Sequence, residues 1–388
     1  MADAQVSGGC ADKVMKAEII AIGSELLTPD RMDTNSLYLT EKLNEAGFEV
    51  HLKTIVGDNA EDIAEVLRAA LQRSALIVLC GGLGPTEDDL TRIAAANALR
   101  RGVTVDEKIL EALRRRFALR GYRMAKINER QAEVIEGAEI LENPVGTAPG
   151  MWIEEKSASL ALLPGPPREL KAMFESRVLP RAIRLGGGTR LEKRSFGLQG
   201  LPESEVDTRI APIYKAYPRI QTTILAAKGA ISVRLQRWIE PGEGHSDLEE
   251  LAGRILTELG DTVFTAADET LEQVVGRMLR QSGRSLALAE SCTAGMIAST
   301  ITRVPGSSDY FRGGILCYSN ELKIKLCRVK PELLELNGAV SGEVAEALAR
   351  GVREVACSSI GLAVTGIAGP AGGSEQKPVG LVYFGLAD

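Results

Sequence analysis

Serine and lysine carry the chemistry open to the last third of this 388-residue chain. Ala289-Glu-Ser-Cys-Thr-Ala-Gly295 follows an apolar run and opens a helical pattern. Hydroxyls and backbone N–H groups then collect at a helix start, which suits an anion or an oxyanion. The turn Pro305-Gly-Ser-Ser-Asp309 adds two more serines, and Tyr318-Ser-Asn-Glu-Leu-Lys323 carries Lys323 one turn into another helix. Further glycines and hydroxyls lie in Thr365-Gly-Ile-Ala-Gly-Pro-Ala-Gly-Gly-Ser374. A serine attacks only when something takes its proton. His51 and His245 are the only two histidines and neither has a partner at a useful spacing, which argues against a zinc site and a Ser-His-Asp triad. The base that remains is a desolvated lysine of lowered pKa, so the residues point to a Ser–Lys amidohydrolase. The plainer reading has these serines capping helices and turns, with Lys323 on the surface.

The first third offers a different chemistry. Gly81-Gly-Leu-Gly-Pro-Thr-Glu-Asp-Asp89 joins a buried strand pattern to a helix. Gly81, Gly82, Gly84 and Thr86 read as a phosphate cradle, or else as a tight turn that needs glycine for geometry alone. Asp88 and Asp89 would repel a phosphate unless a divalent cation, magnesium or similar, lay between; helix capping is the alternative. Glu25, Asp33, Asn35 and Asp58 sit on segments expected at the same sheet edge and are candidate ligand contacts or caps. Arg100, Arg101, Arg114, Arg115, Arg116, Arg120 and Arg123 form a basic helical stretch that reads as a solvated face, without the interleaved aromatics of a nucleic-acid surface.

The elements that must position these residues alternate. Apolar strands at 17–22, 48–56 and 75–80 enclose helices at 34–46 and around Ile63 to Leu71, and a further strand and turn follow at 160–167. Strand, helix, strand, helix, strand implies a parallel sheet covered on both faces. Past Arg177 the runs shorten, with strands at 194–198 and 230–237 and helices at 203–214 and 247–259, the texture of a small α+β domain. From 270 the α/β pattern resumes: helix 271–279, strand 285–289, a helix from Gly295, strand 314–318, helix 342–356, strand 360–364 and strand 379–386. The expected fold class is therefore α/β, two parallel-sheet three-layer domains (16–176 and 267–388) joined by a small α+β domain (177–266), behind a disordered tail (1–15). No helix follows the last strand, so the third domain is expected to be truncated.

Composition narrows the partners. There are 46 Lys plus Arg against 52 Asp plus Glu, a net charge of −6, so no global positive field holds a polyanion. The longest apolar runs are strand-sized, too short to span a bilayer. Six cysteines without a Cys-x-x-Cys pair suggest reduced core thiols in a cytoplasm. Small-molecule chemistry, no membrane, no nucleic acid and a homodimer are the expectations.

Over nearly its whole length the sequence resembles the CinA family (competence/damage-inducible protein A). The resemblance rests on Ile22-Gly-Ser-Glu-Leu-Leu27, Asp33-Thr-Asn35, Val56-Gly-Asp-Asn59, Gly81-Gly-Leu-Gly-Pro-Thr86, Asn143-Pro-Val-Gly-Thr-Ala-Pro-Gly150 and Leu163-Pro-Gly-Pro-Pro167. It continues through Ala289-Glu-Ser-Cys-Thr293, Gly306-Ser-Ser308, Tyr318-Ser-Asn320, Gly366-Ile-Ala-Gly-Pro370 and Lys377-Pro-Val-Gly380. It implies a molybdopterin-binding-like domain, a KH-like middle domain and a nicotinamide-nucleotide amidase domain. The first would hydrolyse ADP-ribose to AMP and ribose 5-phosphate with a metal, held by Asp88 and Asp89. The last would convert nicotinamide mononucleotide (NMN) to nicotinate mononucleotide without a cofactor. Carried over, Ser308 would be the nucleophile, Lys323 the base and Tyr318 a proton-handling helper, with Ser291, Thr293, Thr365 and Gly366 as substrate or oxyanion contacts. The alternative implied is a non-catalytic nucleotide- or molybdopterin-binding accessory protein of competence or DNA repair. Relatives usually carry glycine where Ala294 stands.

Overall fold

A computed structural model describes residues 14–119, 121–227 and 230–388; Cys10, most of the expected tail and Arg120 lie outside these. The first strand, Met15–Ile22, starts inside the segment expected to be tail. It pairs in parallel with Phe48–Val56 on one side and Leu76–Cys80 on the other, and Ser159–Leu163 extends the parallel set. Gly150–Glu154 and Glu139–Leu141 then add two antiparallel strands, which complete a six-stranded sheet. Leu76–Cys80 is buried at all five positions, which is why it reads as an unbroken apolar run rather than an alternating one. Ile20, Ile77 and Leu79 face one core with Ile63 and Leu67, while Ile19, Leu76 and Val78 face another with Leu39, Leu43 and Phe174. These are the two faces of one sheet between helical layers.

The chain divides into two compact units, one holding residues up to Lys193 with Gln236–Glu249, the other Arg194–Leu235 with Glu250–Asp388. The strands of the α+β segment form a four-stranded sheet in the order Gln221–Ala227, Ala230–Ile239, Arg190–Leu198, Val263–Thr265. The last sheet runs Phe311–Leu316, Leu286–Glu290, Ile360–Gly366, Val382–Ala387, with three strands parallel and the last antiparallel. The strand Phe311–Leu316 starts pairing at Phe311, three residues before the expected start. Gly313 and Gly314 interrupt the apolar pattern there, although their backbone continues the ladder.

In both sheets the first strand of the α/β pattern sits between the next two in sequence, so the chain reverses direction of winding beside it. Ligands of open parallel sheets bind outside the carboxyl ends of the strands at such a switch point. In the first sheet that point lies between Ile22 and Cys80; in the last it lies between Glu290 and Val364.

Candidate active site

At the carboxyl end of Leu286–Glu290 the backbone continues for one residue, as the Ser291 N–H donates to the Val364 carbonyl at 3.0 Å. It then turns through 292–295 into the helix Met296–Thr302. Glu290 holds this turn. Its buried carboxylate accepts the N–H groups of Gly295 (3.0 Å), Ile297 (3.1 Å) and Ala298 (2.8 Å), satisfying the open helix start with a full negative charge. Ala294 takes φ 49°, the left-handed region that favours glycine.

Lys323 enters from the helix Asn320–Cys327, which Ser319 caps by accepting the Leu322 N–H. It is 1% exposed. Its Nζ reaches the Cys317 carbonyl at 2.8 Å, the Tyr318 carbonyl at 3.0 Å and the Ser291 Oγ at 3.1 Å. Burial lowers its pKa below the usual lysine value, opposed by the Cys317, Cys327 and Cys292 thiols nearby. A neutral amine has two hydrogens and one lone pair. The two carbonyls take the hydrogens and leave the lone pair for the Ser291 hydroxyl; on protonation all three N–H groups still have acceptors. The site therefore accommodates both states of a proton carrier, with the buried Ser291 as the hydroxyl it serves.

Ser308 lies elsewhere. The strand after it begins at Phe311, and the Tyr310 carbonyl accepts the N–H of Leu286, so the turn 306–309 sits at the amino ends of the strands. Ser291 follows the carboxyl end of the five-residue strand Leu286–Glu290, about 16 Å farther on at ~3.3 Å per residue. The implied pairing of Ser308 with Lys323 is thus not formed within the chain, because parallel strands keep their beginnings and ends apart. The Tyr318 side chain is 76% exposed, and its contribution to Lys323 is the backbone carbonyl.

The remaining contacts gather at the Ser291 end. Thr293 Oγ1 is buried without a hydrogen-bond partner among the described residues. Thr365, buried at the end of the adjacent strand, donates its hydroxyl to Ala339 at 2.7 Å. A Cβ on Gly366 would stand 2.8 Å from the Leu381 carbonyl oxygen and 3.1 Å from Cys292 Sγ, so glycine lets this strand end close on the 291–295 turn.

The other switch point forms a cavity of about 320 Å³ lined by Gly81, Gly82 and Gly84 together with Glu25, Asp58, Asp88, Asp89 and Gln131. Sequence reasoning missed Gln131, which sits in an otherwise unremarked helical turn. The glycines have geometric work of their own: a Cβ on Gly81 would meet the Ile22 carbonyl at 2.1 Å, and one on Gly82 would meet Thr91 Oγ1 at 2.2 Å. As a phosphate cradle the loop is largely spent. Gly81 donates to Leu163 and Gly84 to Asp89, leaving Gly82 as the one glycine N–H of the three without a partner among the described residues. Asp89 accepts from the Gly84 N–H, the Thr86 N–H and the Thr86 hydroxyl. Asp58 accepts the Ser24 N–H at 2.7 Å, and Asn35 donates to the Gly165 carbonyl at 2.8 Å. Asp88 is exposed. With both Asp89 oxygens engaged, and no three His, Cys, Asp or Glu side chains converging among the described residues, the donor set does not fit a resident cation.

The family model "CinA C-terminal domain" matches residues 268–388, and "Probable molybdopterin binding domain" matches 18–184. The CinA-like protein of Solibacter usitatus is 49% identical over 375 residues, covering 96% of this chain and 90% of its own length. That of Acidobacterium capsulatum is 49% identical over 384 residues, covering 96% and 91%. Among solved structures, the protein CinA of Thermoplasma acidophilum is 29% identical, covering 44% of this chain and 98% of its own at a TM-score of 0.41. The competence/damage inducible protein CihA of Agrobacterium tumefaciens is 36% identical, covering 31% and 76% at a TM-score of 0.29.

Proposed function

The chain belongs to the CinA family, and from that premise we propose that its C-terminal unit is a Ser–Lys amidase acting on nicotinamide mononucleotide. The observation that carries this reading is the buried Lys323 amine 3.1 Å from the buried Ser291 hydroxyl. Ser291 Oγ attacks the carboxamide carbon while its proton passes to the Lys323 Nζ lone pair. The tetrahedral centre collapses with cleavage of the C–N bond, and Lys323 returns the proton to the departing nitrogen as ammonia. Water then attacks the acyl-serine ester, giving up a proton to Lys323, which restores the Ser291 hydroxyl and frees the carboxylate. Thr293 Oγ1, without a protein partner among the described residues, is available to the substrate. Ammonia release from NMN by the purified chain, with product identified as nicotinate mononucleotide, tests the reading; a folded chain that releases none from NMN refutes it.

A second reading concerns the N-terminal unit, where the switch-point cavity supports binding of a ribose-bearing nucleotide, ADP-ribose being the one the family resemblance implies. The observation in its favour is Gln131, 3% exposed, whose Oε1 has no hydrogen-bond partner among the described residues and which lines that cavity. Calorimetric titration with ADP-ribose tests it.

A further inference from the structure

The four-stranded sheet of the α+β segment leaves one edge open. Gln221–Ala227 is its outermost strand, and no strand pairs with its far side among the described residues. Such an edge presents unpaired N–H and C=O groups, which proteins commonly blunt with charges or prolines. Gln221-Thr-Thr-Ile-Leu-Ala-Ala227 carries neither, and its β-branched residues suit extended pairing. Beside it stands the helix Glu203–Tyr214, and a groove of about 640 Å³ between the two is lined by Glu203, Ser204, Asp207, Tyr214, Thr222 and Ile224. The helix side of this groove is negative. Glu203 and Asp207, one helical turn apart, are exposed, and neither forms an ion pair among the described residues. Asp207 accepts the Tyr214 hydroxyl on one oxygen at 2.8 Å and keeps the other open. On the strand side, Thr222 Oγ1 is buried with no hydrogen-bond partner among the described residues; such an atom costs free energy until a partner arrives from outside.

We propose that this groove docks an extended, cationic segment of a partner protein, added as a further strand to the free edge of Gln221–Ala227, with its lysine or arginine side chains on Glu203 and Asp207. In strand addition the main-chain hydrogen bonds supply affinity, and the side chains at alternate positions supply specificity. Alternate side chains of the added strand point to the helix side, so the segment recognised is basic opposite the two carboxylates and apolar against Ile224. The seven residues of Gln221–Ala227 offer an edge of roughly 24 Å at ~3.4 Å per residue, enough for a peptide of similar length. Charge separates this occupant from the others. A second copy pairing edge to edge would bring a second Glu203–Asp207 wall beside the first, and like charges so placed oppose association. The phosphates of a nucleic acid would meet the same carboxylates.

Fluorescence anisotropy on the full chain tests the proposal, with a labelled peptide of alternating lysine and valine as the probe. The same peptide with glutamate for lysine should bind at least about tenfold more weakly. Two further versions are N-methylated, each on one alternate set of backbone nitrogens. Only one set faces the edge in an added strand, so one version should lose about tenfold while the other binds like the parent peptide. Glu203→Gln combined with Asp207→Asn should weaken the lysine probe about fivefold, two exposed ion pairs being lost, with the melting transition unchanged. Equal affinity for the lysine and glutamate peptides, or no loss in the double variant, overturns the acidic groove as the contact. Equal behaviour of the two methylated peptides overturns strand addition. No binding of the lysine probe overturns the proposal outright, and self-association of the chain that Leu225→Lys abolishes would then seat a second copy on the edge. The peptide comparisons need no substituted protein, so they decide the matter should the double variant fail to fold.

Discussion

Lys323 Nζ and Ser291 Oγ meet at 3.1 Å from elements 32 residues apart, each delivered by the carboxyl end of one of two neighbouring parallel strands. The strand Leu286–Glu290 ends one residue before the serine, and Phe311–Leu316 ends just ahead of the helix that carries the lysine. Parallel pairing is what brings the two ends to one edge. It also sends Ser308 to the other edge.

The first prediction follows directly. Ser291→Ala and Lys323→Met should each lower ammonia release from NMN by about a thousandfold, within the usual range for losing a positioned base or nucleophile. Ser308→Ala should retain most of the activity. Met keeps the volume of the lysine stem, so circular dichroism and melting should report a folded protein. Full activity in Ser291→Ala together with its loss in Ser308→Ala would reverse the assignment.

The pH dependence has a defined sign. Lys323 acts as a base only when neutral, and burial lowers its pKa from the ordinary 10.5. The kcat/KM for NMN should therefore climb with pH and level off at an apparent pKa below 10.5. Lys323→Arg, which stays protonated throughout, should give no rising limb at all. A parent profile flat from pH 6 to 10 would remove lysine as the titrating base.

Much of this arrangement was legible in the residue pattern. Apolar runs such as Leu76–Cys80 announced buried parallel strands, and scarcity of histidine directed attention to Lys323. The sequence also held the signal that separates the two serines: Ser291 follows a strand, whereas Ser308 precedes one. Gly313 and Gly314 blur the start of that strand in the apolar pattern, so the place of the Ser308 turn at its amino end is not evident from the residues alone. The spent state of the 81–84 loop was not legible, since which N–H groups a glycine loop uses internally depends on the fold around it. Gln131 was invisible for a similar reason, a buried amide in a short helical turn having no periodicity to mark it.

Glu290 should behave as a positioning residue. Its two oxygens accept three N–H groups at the start of the helix behind Ser291, and glutamine supplies only one acceptor oxygen. Glu290→Gln is expected to cost about 1–3 kcal/mol of stability through unpaired buried donors. It should also depress kcat, because the turn it holds carries Ser291. Thermal melting read beside steady-state kinetics separates the two effects.

Glu18 gives the N-terminal unit its acid sensitivity. Burial pushes its pKa up, but hydrogen bonds from Arg73 and Ser74, with the charges of Arg73 and His51, more than offset that and leave it below the ordinary 4.5. A folded pKa below the unfolded one means the unfolded chain binds the proton more readily. The stabilisation is complete above about pH 4.5 and is lost as pH falls through the lower folded value. Glu18→Gln should lower the melting temperature at pH 7 and flatten its decline between pH 5 and 3; a parent and variant that lose stability in parallel over that range would show that other carboxylates set the acid limit.

Ala294 offers the converse test, a substitution that should stabilise. Its φ of 49° places a Cβ where L-residues are strained, at a cost bounded by ~1–2 kcal/mol. Glycine removes that strain but gains freedom in the unfolded chain, a loss of roughly 0.4–1 kcal/mol. The difference leaves Ala294→Gly more stable by about 0–1.6 kcal/mol. The same relief acts on the turn that sets Ser291, which Glu290 already holds at three points, so catalysis should change little while the melting temperature of the C-terminal unit rises. A fall in melting temperature would mean that the strain is released elsewhere in the turn and that the alanine methyl contributes packing instead.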